Sequence, residues 1–475
     1  MPESAPLFAS GFAPCTQELA LAALPLAGSP PPWLRGTLYR NGPALWQAGV
    51  TPLAHWFDGF AKLHRFGIAG DGTISYRSRM LESEQYRRSM KRGSLWWRLF
   101  ATEQKRRWYH KLRFLLRPFF GDNALVHVLP LAGSLAALTE SPRLVRVDPQ
   151  TLAALGDLRF DDRVKGHNTT AHPLTDPDSG EMVNLLTTYG KTTQHRFVRL
   201  AKGSRTRELI GSLPAEQPSY HHSFGLTKRF IILTEWPFVL DPLRILFGDT
   251  TIYGSYAWKP ELGLRIRLLE RKTGAVFGPF RTAACFGFHH VNAWDHDGGV
   301  SFDLATLDDQ RIFDALLMEH VRRDGFCIGP QLMRFTVDLA RCDVRRAALG
   351  AGTFDFPVID ERRRCRPTAV VWGCGAAVEQ QDGMLNQIVR REVAPGTPVV
   401  ERVWHRAGHF PGEPVFVPRP GGGEHEGVLL SVVLDGPLAR SYLLMLDATT
   451  LTEIARAEVP QVVPFGFHGS FVPDA

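Results

Sequence analysis

The chain has 475 residues and a net charge of +7. This length is sufficient for two or three average domains or for one large propeller or barrel. Forty-four Gly and thirty-four Pro residues, with short Val, Ile, Leu and Phe runs between them, favour a turn-rich β architecture over a helical one. No stretch approaches about eighteen uninterrupted apolar residues, which excludes a transmembrane helix. Six scattered cysteines without disulfide-like spacing indicate reduced thiols in a cytoplasmic protein.

The N-terminal region predicts a loose extension followed by a strand. Residues 1–26 lack a basic start before an apolar core, so they do not have the pattern of a secretory signal peptide. Residues 36–40 combine β-branched, aromatic and apolar side chains and predict the first strand. The following Asn41-Gly42-Pro43 is typical of a turn.

The net positive charge of the chain is concentrated in one basic and aromatic segment. Residues 85–117 contain eleven Lys and Arg residues and one acid, Glu103, so the rest of the chain is close to neutral. Apolar side chains recur in this segment at helical spacing, at Trp108, Leu112, Leu115 and Phe119. Both an amphipathic helix in a membrane interface and a surface helix packed on the domain have this pattern. Such residues can also follow single-stranded nucleic acid, but no recognition-module signature accompanies them and no nucleic-acid partner is expected.

Four histidines share an apolar setting in distant parts of the chain. They are His172, one histidine of the pair His221-His222, one of the pair His289-His290, and His468. Almost no charge is adjacent to any of them, so each imidazole is expected to be buried and neutral, the form that binds a metal. A single histidine in such a run is more often a hydrogen-bonded core residue. Recurrence of the same setting suggests one shared centre.

The histidine pattern does not identify a metal by itself. The spacings match neither an HExxH helix nor paired CxxC knuckles. Neutral imidazoles suit Fe, Zn, Cu or Ni about equally by ligand type. The residues therefore predict a candidate all-histidine site whose metal must be identified by other means.

These histidine segments resemble part of a known family signature. Together with Arg40-Asn41-Gly42-Pro43, residues 55–59 and residues 412–417, they are similar to the motifs of the carotenoid cleavage oxygenases, and the resemblance runs from about Trp33 to Val472. It implies an all-β fold, a seven-bladed β-propeller with a helical and loop cap over a metal site on its axis. Clean blade repeats are not visible in the sequence itself.

The resemblance also implies a domain organisation. We expect residues 1–32 to form an N-terminal extension and residues 33–475 to form a single propeller oxygenase domain. Within this domain, we expect residues 85–120 to be a basic and aromatic insertion, and a membrane-facing helix is one interpretation of it.

The ligand set is likewise implied by the resemblance. In that family a ferrous ion is held by four histidines, and the matching residues are His172, His222, His289 and His468. The family pattern places one ligand immediately before Ser-Phe and another immediately after Phe, which selects His222 and His289. Because neighbours on a strand point to opposite faces, His221 and His290 would face away. One Fe(II) per chain is expected, with two adjacent positions left open for O₂ and for substrate or water.

Three carboxylates are implied beside the iron ligands. Metal-binding histidines usually donate their second ring proton to an acid, and the matching positions are Glu140, Asp355 and Glu413, as partners of His222, His289 and His468 respectively. Asp355 departs from the family pattern, in which glutamate is common at this position. Its shorter side chain must be offset by a backbone shift or a water, or its role is lost.

The implied reaction is dioxygenase cleavage of one conjugated C=C bond of a carotenoid or apocarotenoid with O₂, giving two carbonyl products. The lignostilbene-cleaving branch bears a lysine just before the Glu140 position, where this chain has Thr139, which argues for a carotenoid over a hydroxystilbene. The alternatives are a stilbene-cleaving oxygenase, a retinoid isomerohydrolase of the same family, and a non-catalytic carotenoid-binding propeller.

The resemblance finally implies peripheral membrane association. Residues 236–248 are apolar and interrupted by two prolines, so no regular strand is expected there. In the family this region helps to form an apolar patch around the substrate entrance, and here Leu243, Leu246 and Phe247 would insert, alongside residues 95–120. A buried loop over the propeller is the alternative. We expect a cytoplasmic, peripherally membrane-associated protein without an obligate protein partner.

Overall fold

Within the part of the chain that the structure describes, the strands form seven antiparallel sheets of four to six strands each and two two-stranded sheets. The structure is a computed structural model that describes residues 5–103, 121–241, 243–244, 250–326, 329–376 and 383–474. The seven sheets are the blades of a propeller, which confirms the predicted all-β fold. Short apolar runs between Gly- and Pro-rich turns produce this architecture because each run is long enough for one strand of a blade.

The first four blades are built almost entirely from consecutive strands. From the innermost strand outward, blade 1 contains Gly469–Pro473, Gly36–Leu45, Phe60–Ile68, Ile74–Met80 and Leu19–Leu21. Blade 2 contains His127–Leu131, Ser134–Leu138, Val145–Val147 and Ala154–Asp157. Blade 3 contains Asn168–Thr169 and Leu174–Thr175, both paired with Met182–Thr188, then Thr193–Leu200 and Arg207–Ala215. Blade 4 contains Gly225–Leu226, Phe230–Glu235, Leu264–Glu270 and Val276–Thr282.

The last three blades follow the same order. Blade 5 contains His290–His296, Gly299–Thr306, Gln331–Asp338 and Asp343–Ala348. Blade 6 contains Asp355–Val358, Val370–Gly375, Gln387–Glu392 and Val400–His405. Blade 7 contains His409–Pro411 and Val415–Pro418, both paired with Gly427–Asp435, then Arg440–Asp447, Glu453–Val459 and Leu26–Gly28.

Short helices and hairpins lie between the blades. Among the described residues, two hairpins pair Gln47–Ala48 with Thr51–Pro52 and Phe238–Leu240 with Tyr256–Trp258. The expectation that residues 236–248 contain no regular strand is therefore wrong, because Phe238–Leu240 lies between the two prolines. The α-helices in the described ranges are Glu84–Arg92, Ile312–Ala315 and Met318–Asp324. The 3₁₀ helices are Ala9–Phe12, Trp56–Asp58, Tyr253–Ser255, Pro260–Leu262 and Glu361–Arg363. Several of these elements cover the end of the propeller at which the four histidines meet, in the place where the cap was predicted.

The two ends of the chain close the propeller in blade 1. Strand Gly469–Pro473 pairs antiparallel with Gly36–Leu45, with Arg40 opposite Gly469. This pairing removes a free sheet edge and holds the C-terminal segment inside the fold. Strands Leu19–Leu21 and Leu26–Gly28, from the predicted extension, add outer strands to blades 1 and 7.

The turn predicted at Asn41-Gly42-Pro43 is wrong. These residues lie inside the ten-residue strand Gly36–Leu45, which becomes irregular only after Pro43. Glycine is required at position 42 because a Cβ there would lie 2.3 Å from the Cα of Gly466. The glycine therefore permits close packing of two backbones and does not mark a turn.

The burial pattern of a strand depends on its position within the blade. Strand Ile74–Met80 alternates buried and partly exposed residues, as an outer strand with one covered face does. Strand Gly299–Thr306 is buried at every position because neighbouring blades cover both faces. Strand Gly427–Asp435 pairs with Arg440–Asp447 as an antiparallel hairpin in the core of blade 7.

Candidate metal centre

Each of the four predicted histidines adjoins the innermost strand of a different blade. In chain order they are His172 with Leu174–Thr175, His222 with Gly225–Leu226, His289 with His290–His296, and His468 with Gly469–Pro473. Innermost strands converge on the propeller axis. Residues separated by up to several hundred positions in sequence are therefore brought to one point.

The four imidazoles form a compact cluster. One ring nitrogen from each lies within 4.8 Å of the corresponding nitrogens of the others. The Nε2 atoms of His172 and His222 are 2.9 Å apart. His222, His289 and His468 are buried, and the buried Nε2 atom of His289 has no hydrogen-bond partner among the described residues. The inward-facing nitrogens thus share a small space in which no described residue donates a hydrogen bond to that atom.

Three of the histidines donate to carboxylates on the outer side of the cluster. The Nδ1 atoms of His222, His289 and His468 contact carboxylate oxygens at 2.6 Å in each case, with the partners Glu140, Asp355 and Glu413 respectively. A carboxylate accepts a hydrogen from Nδ1, which leaves the lone pair on Nε2. The acids therefore fix the tautomer in which Nε2 can act as a ligand.

Asp355 reaches His289 in spite of its shorter side chain. The strand that begins at Asp355 is irregular, because its register with Val370–Gly375 shifts between Asp355 and Val358. Phe356, the next residue, has a φ of 49°, in the left-handed region that bulky residues rarely adopt. With this local backbone distortion, the distance from Asp355 to His289 Nδ1 equals the distances in the Glu140–His222 and Glu413–His468 pairs.

Burial keeps three of the four imidazoles uncharged. It holds the pKa values of His172 and His468 well below the usual range, and the mutual repulsion of neighbouring imidazolium groups acts in the same direction. Burial also lowers the pKa of His222, although the hydrogen bond to Glu140 opposes this shift. These imidazoles are therefore neutral at pH 7, the state in which their nitrogens bind a metal.

Two residues that sequence reasoning missed hold the acids in place. Arg40 is buried and donates from Nη1 to Glu413 Oε2 at 2.5 Å and from Nη2 to the Phe467 carbonyl at 2.7 Å. The Tyr220 hydroxyl donates to Glu140 Oε1 at 2.7 Å. Tyr220 lies two residues before His222, a spacing that places both side chains on one face of extended backbone and could have predicted the contact.

The histidines not selected as ligands lie outside the cluster. The His221 ring packs edge-on against His195, with 4.5 Å between ring centroids. His290 contacts the Ser223 hydroxyl through Nδ1 at 2.8 Å and the Thr234 hydroxyl through Nε2 at 3.3 Å. Each adjacent pair therefore directs one imidazole into the centre and the other into the surrounding protein.

The cluster fits a divalent transition-metal ion. Two nitrogens at right angles, each about 2.1 Å from one ion, are about 3.0 Å apart, which agrees with the 2.9 Å between the His172 and His222 Nε2 atoms. A cation would also satisfy the buried Nε2 of His289, whose isolation is otherwise unfavourable. The donor set accommodates several first-row metals, so iron is not selected by these ligands alone.

A cavity of about 620 Å³ leads to the centre. His222, His289 and His468 form part of its wall, and most of the remaining lining is aromatic or aliphatic. Phe288 lies edge-on to the His222 ring with 5.3 Å between centroids, and Phe57 lies 5.4 Å from Phe467. A long apolar molecule could therefore reach the histidines while shielded from water.

The predicted membrane patch lies partly within the described residues. Leu243 lines the cavity and its side chain is 64% exposed. Leu246, Phe247 and residues 104–120 lie outside the described residues. The basic segment begins with helix Glu84–Arg92, capped by the Ser83 hydroxyl. Among the described residues, no helix combines the length and hydrophobicity needed to cross a bilayer.

Known proteins resemble this chain over nearly its whole length. A model of the family described as retinal pigment epithelial membrane protein matches residues 12–473. The β,β-carotene 15,15'-dioxygenase of Rattus norvegicus is 29% identical over 95% of this chain and 89% of its own length. The chloroplastic carotenoid cleavage dioxygenase 8 homolog A of Oryza sativa subsp. japonica is 30% identical over 96% of this chain and 86% of its own length. Cobalt-substituted apocarotenoid oxygenase from Synechocystis superposes with a TM-score of 0.87 at 27% identity, covering 98% of both chains.

Proposed function

Since this chain belongs to the carotenoid oxygenase family, whose model is that of the retinal pigment epithelial membrane protein, we propose that it is an Fe(II)-dependent dioxygenase that cleaves one conjugated C=C bond of a carotenoid or apocarotenoid. One iron per chain would be held by His172, His222, His289 and His468. The observation that carries this proposal is the convergence of these four imidazoles beside a largely apolar cavity, whose wall includes His222, His289 and His468.

The proposed reaction balances without a further reactant. Each carbon of the broken double bond receives one oxygen atom of O₂, so the products are two carbonyl compounds and no proton or electron is consumed. When bound, Fe(II) supplies the unpaired electrons that allow O₂ to react with a closed-shell double bond. No nucleophile or general base of the protein is needed.

The side chains of this protein would contribute position and protonation state. Glu140, Asp355 and Glu413 keep the histidine protons on Nδ1, so that Nε2 remains available to the metal. The rings of Phe57 and Phe288, which pack edge-on with 6.1 Å between centroids, form part of the cavity wall. Aromatic walls favour a flat conjugated chain and hold it in one register, which brings a single double bond to the centre.

Cleavage in isotopically labelled oxygen tests the proposal. Fe(II)-loaded protein is incubated in detergent with β-carotene or an apocarotenal under ¹⁸O₂, and the products are identified by mass spectrometry. We expect two carbonyl fragments, each of which carries one ¹⁸O atom. Recovery of only unchanged polyene or its geometric isomer, across carotenoids, apocarotenoids and stilbenes, would show that dioxygenase activity is the wrong assignment.

We also propose that the protein collects its substrate at a membrane surface. Leu243 supports this proposal because it combines an exposed side chain with a place in the cavity wall. A leucine at the mouth of an apolar cavity can insert among lipid chains without first losing contacts within the protein.

Replacement of Leu243 by Ser is expected to lower partitioning onto anionic liposomes about tenfold, because burying a leucine side chain contributes about 1.5 kcal/mol or more. Co-sedimentation with vesicles of defined composition measures this change. Leu209→Ser is the matched control, since Leu209 is 53% exposed on the outermost strand of blade 3. Equal sedimentation of the two variants would exclude Leu243 from the membrane contact.

A further inference from the structure

A lysine of blade 1 is buried beside a thiol of the N-terminal segment. Lys62 lies in strand Phe60–Ile68 and is fully buried. Its Nζ atom is 3.5 Å from Cys15 Sγ, 3.0 Å from the Cys15 carbonyl oxygen and 2.6 Å from the Gln17 carbonyl oxygen. None of these contacts is to a carboxylate, although a buried lysine is usually paired with an acid. The amine and the thiol therefore form a close pair inside the protein.

The segment that carries the thiol is held in place on both sides of it. The Cys15 backbone N–H donates to the Ala44 carbonyl at 2.8 Å, and the Met80 backbone N–H donates to Glu18 Oε1 at 2.9 Å. The Cys15 thiol itself donates to the Val462 carbonyl, with 3.4 Å between sulfur and oxygen. These contacts fix the sulfur beside the amine, so only a short approach separates the two atoms from bonding distance.

The contacts of Lys62 suit a neutral amine. A neutral amine has two hydrogens and one lone pair, so its hydrogens can serve the two carbonyls while the lone pair is left for the sulfur. Burial lowers the pKa of the Lys62 amine, although the nearby Cys15 thiol and Glu18 carboxylate oppose this shift. An uncharged amine is a nucleophile, and here it adjoins a sulfur atom that can be oxidised.

A small oxidant can reach the sulfur of Cys15 from solvent. Cys15 is partly exposed, and its two neighbours in sequence are exposed. Among the other described cysteines, Cys342 is exposed, whereas Cys285, Cys365 and Cys374 are buried. Because the oxidation of a cysteine follows its exposure, Cys15 and Cys342 are the described thiols that hydrogen peroxide should attack first. Of these two, Cys15 is the one that contacts a lysine amine.

We infer that Lys62 and Cys15 form a modification site at which hydrogen peroxide joins Nζ to Sγ through a sulfenamide bond. Peroxide first converts the thiol to a sulfenic acid, and one water is released. The Nζ lone pair then attacks the sulfur, and the S–N bond forms as the S–O bond breaks. The departing hydroxide takes a proton from the nitrogen and becomes a second water. The sulfur loses two electrons, which the peroxide accepts, and an external thiol reverses the reaction by attack on the sulfur.

The sulfenamide bond would fasten the N-terminal segment to the propeller. Three residues before Cys15, the Phe12 ring packs edge-on against Trp56 with 5.5 Å between centroids, and Trp56 lines the cavity. The Phe12 carbonyl accepts from Arg322 Nη2, in the last of the cap helices, at 3.1 Å. A covalent bond at Cys15 therefore holds the segment that supports this side of the cavity wall, and it does so under oxidising conditions.

Peptide mapping of peroxide-treated protein tests the inference. Full-length protein is incubated with hydrogen peroxide, free thiols are blocked with iodoacetamide, and tryptic peptides are identified by mass spectrometry with and without dithiothreitol. We expect two peptides joined through Lys62 and Cys15, lighter than their sum by two hydrogen atoms and separated by dithiothreitol. Because the bond joins residues 47 positions apart, treated protein should unfold at a temperature about 4 °C higher than untreated protein.

Three variants provide the controls. Cys342→Ser removes the exposed thiol and should retain both the joined peptides and the rise in unfolding temperature. Cys15→Ser and Lys62→Met should each abolish both effects. In Lys62→Met the oxidised sulfur has no amine to attack it, so excess peroxide should convert Cys15 to the sulfinic acid, which the wild-type protein should not accumulate. If circular dichroism shows that Lys62→Met does not fold, the comparison of wild-type protein with Cys15→Ser decides the question.

Two results would overturn the inference. One is wild-type protein in which peroxide oxidises Cys15 to the sulfenic or sulfinic acid without a bond to Lys62. The other is unmodified Cys15 under conditions that oxidise Cys342. Neither result bears on the cleavage of polyenes, because neither Lys62 nor Cys15 lines the cavity. The modification site and the proposed function are therefore tested independently.

Discussion

Replacement of His289 by Ala is expected to lower iron occupancy and the rate of polyene cleavage by more than about a hundredfold. Loss of a residue that only hydrogen-bonds to a metal ligand already costs about 10- to 100-fold in metal affinity or activity, and loss of a direct ligand should cost more. The Nε2 atom of His289 is buried, has no hydrogen-bond partner within the described parts of the chain, and lies within 4.8 Å of one ring nitrogen of each of the other three histidines. Metal analysis after anaerobic purification and product formation under O₂ measure the two effects.

The adjacent histidine is the control for this experiment. His290 occupies the same strand end but contacts Ser223 and Thr234 instead of the cluster. His290→Gln retains a hydrogen-bonding side chain and should retain about one iron per chain. If His289→Ala keeps as much iron as His290→Gln, His289 is not a ligand.

Replacement of Arg40 by Met is expected to destabilise the protein by about 3–5 kcal/mol, the usual cost of removing one partner of a buried ion pair. The Arg40 and Glu413 side chains are 7% and 10% exposed, and their closest atoms are 2.5 Å apart. Loss of the guanidinium leaves Glu413 charged in a buried environment and removes the bond to the Phe467 carbonyl, next to His468. Urea denaturation of the metal-free protein measures the change in the free energy of unfolding.

Two further variants separate the ion pair from a general effect of losing arginine. Arg199 pairs with Glu208 at the surface, where the side chains are 45% and 63% exposed, so Arg199→Met should change stability by less than about 1 kcal/mol. Adding Glu413→Gln to Arg40→Met removes the uncompensated charge and should recover part of the loss. A loss below about 1 kcal/mol in Arg40→Met would show that Glu413 does not depend on this arginine.

The fold and the histidine cluster were predicted from different kinds of sequence information. Recurrent histidines in uncharged, apolar surroundings indicated four segments of the chain, and the family resemblance selected His222 and His289 within the two adjacent pairs. The structure brings the four selected side chains together. Their convergence could not be derived from spacing, because these histidines come from four blades and no local motif joins them. The family resemblance supplied the propeller, and the pairing of Gly469–Pro473 with Gly36–Leu45 explains how a histidine near the C-terminus reaches the same centre.

The errors and omissions arise where contacts between distant segments override local preference. Asn41-Gly42-Pro43 has the composition of a turn, yet the close approach of Gly42 to Gly466 keeps it within a strand. The role of Arg40 was not predicted because Glu413, its partner, is 373 residues away in sequence. For Asp355, the sequence predicted only that a backbone shift or a water would be required. The bulge itself was not predicted, because a one-residue change in register leaves no sequence pattern.

Anomalous diffraction at the iron absorption edge, from crystals grown anaerobically with Fe(II), is the most direct test of the central claim that these four histidines bind one iron. The account predicts a single strong peak about 2.1 Å from one nitrogen each of His172, His222, His289 and His468. A peak at another location, or no peak among these four imidazoles in iron-loaded crystals, would contradict it.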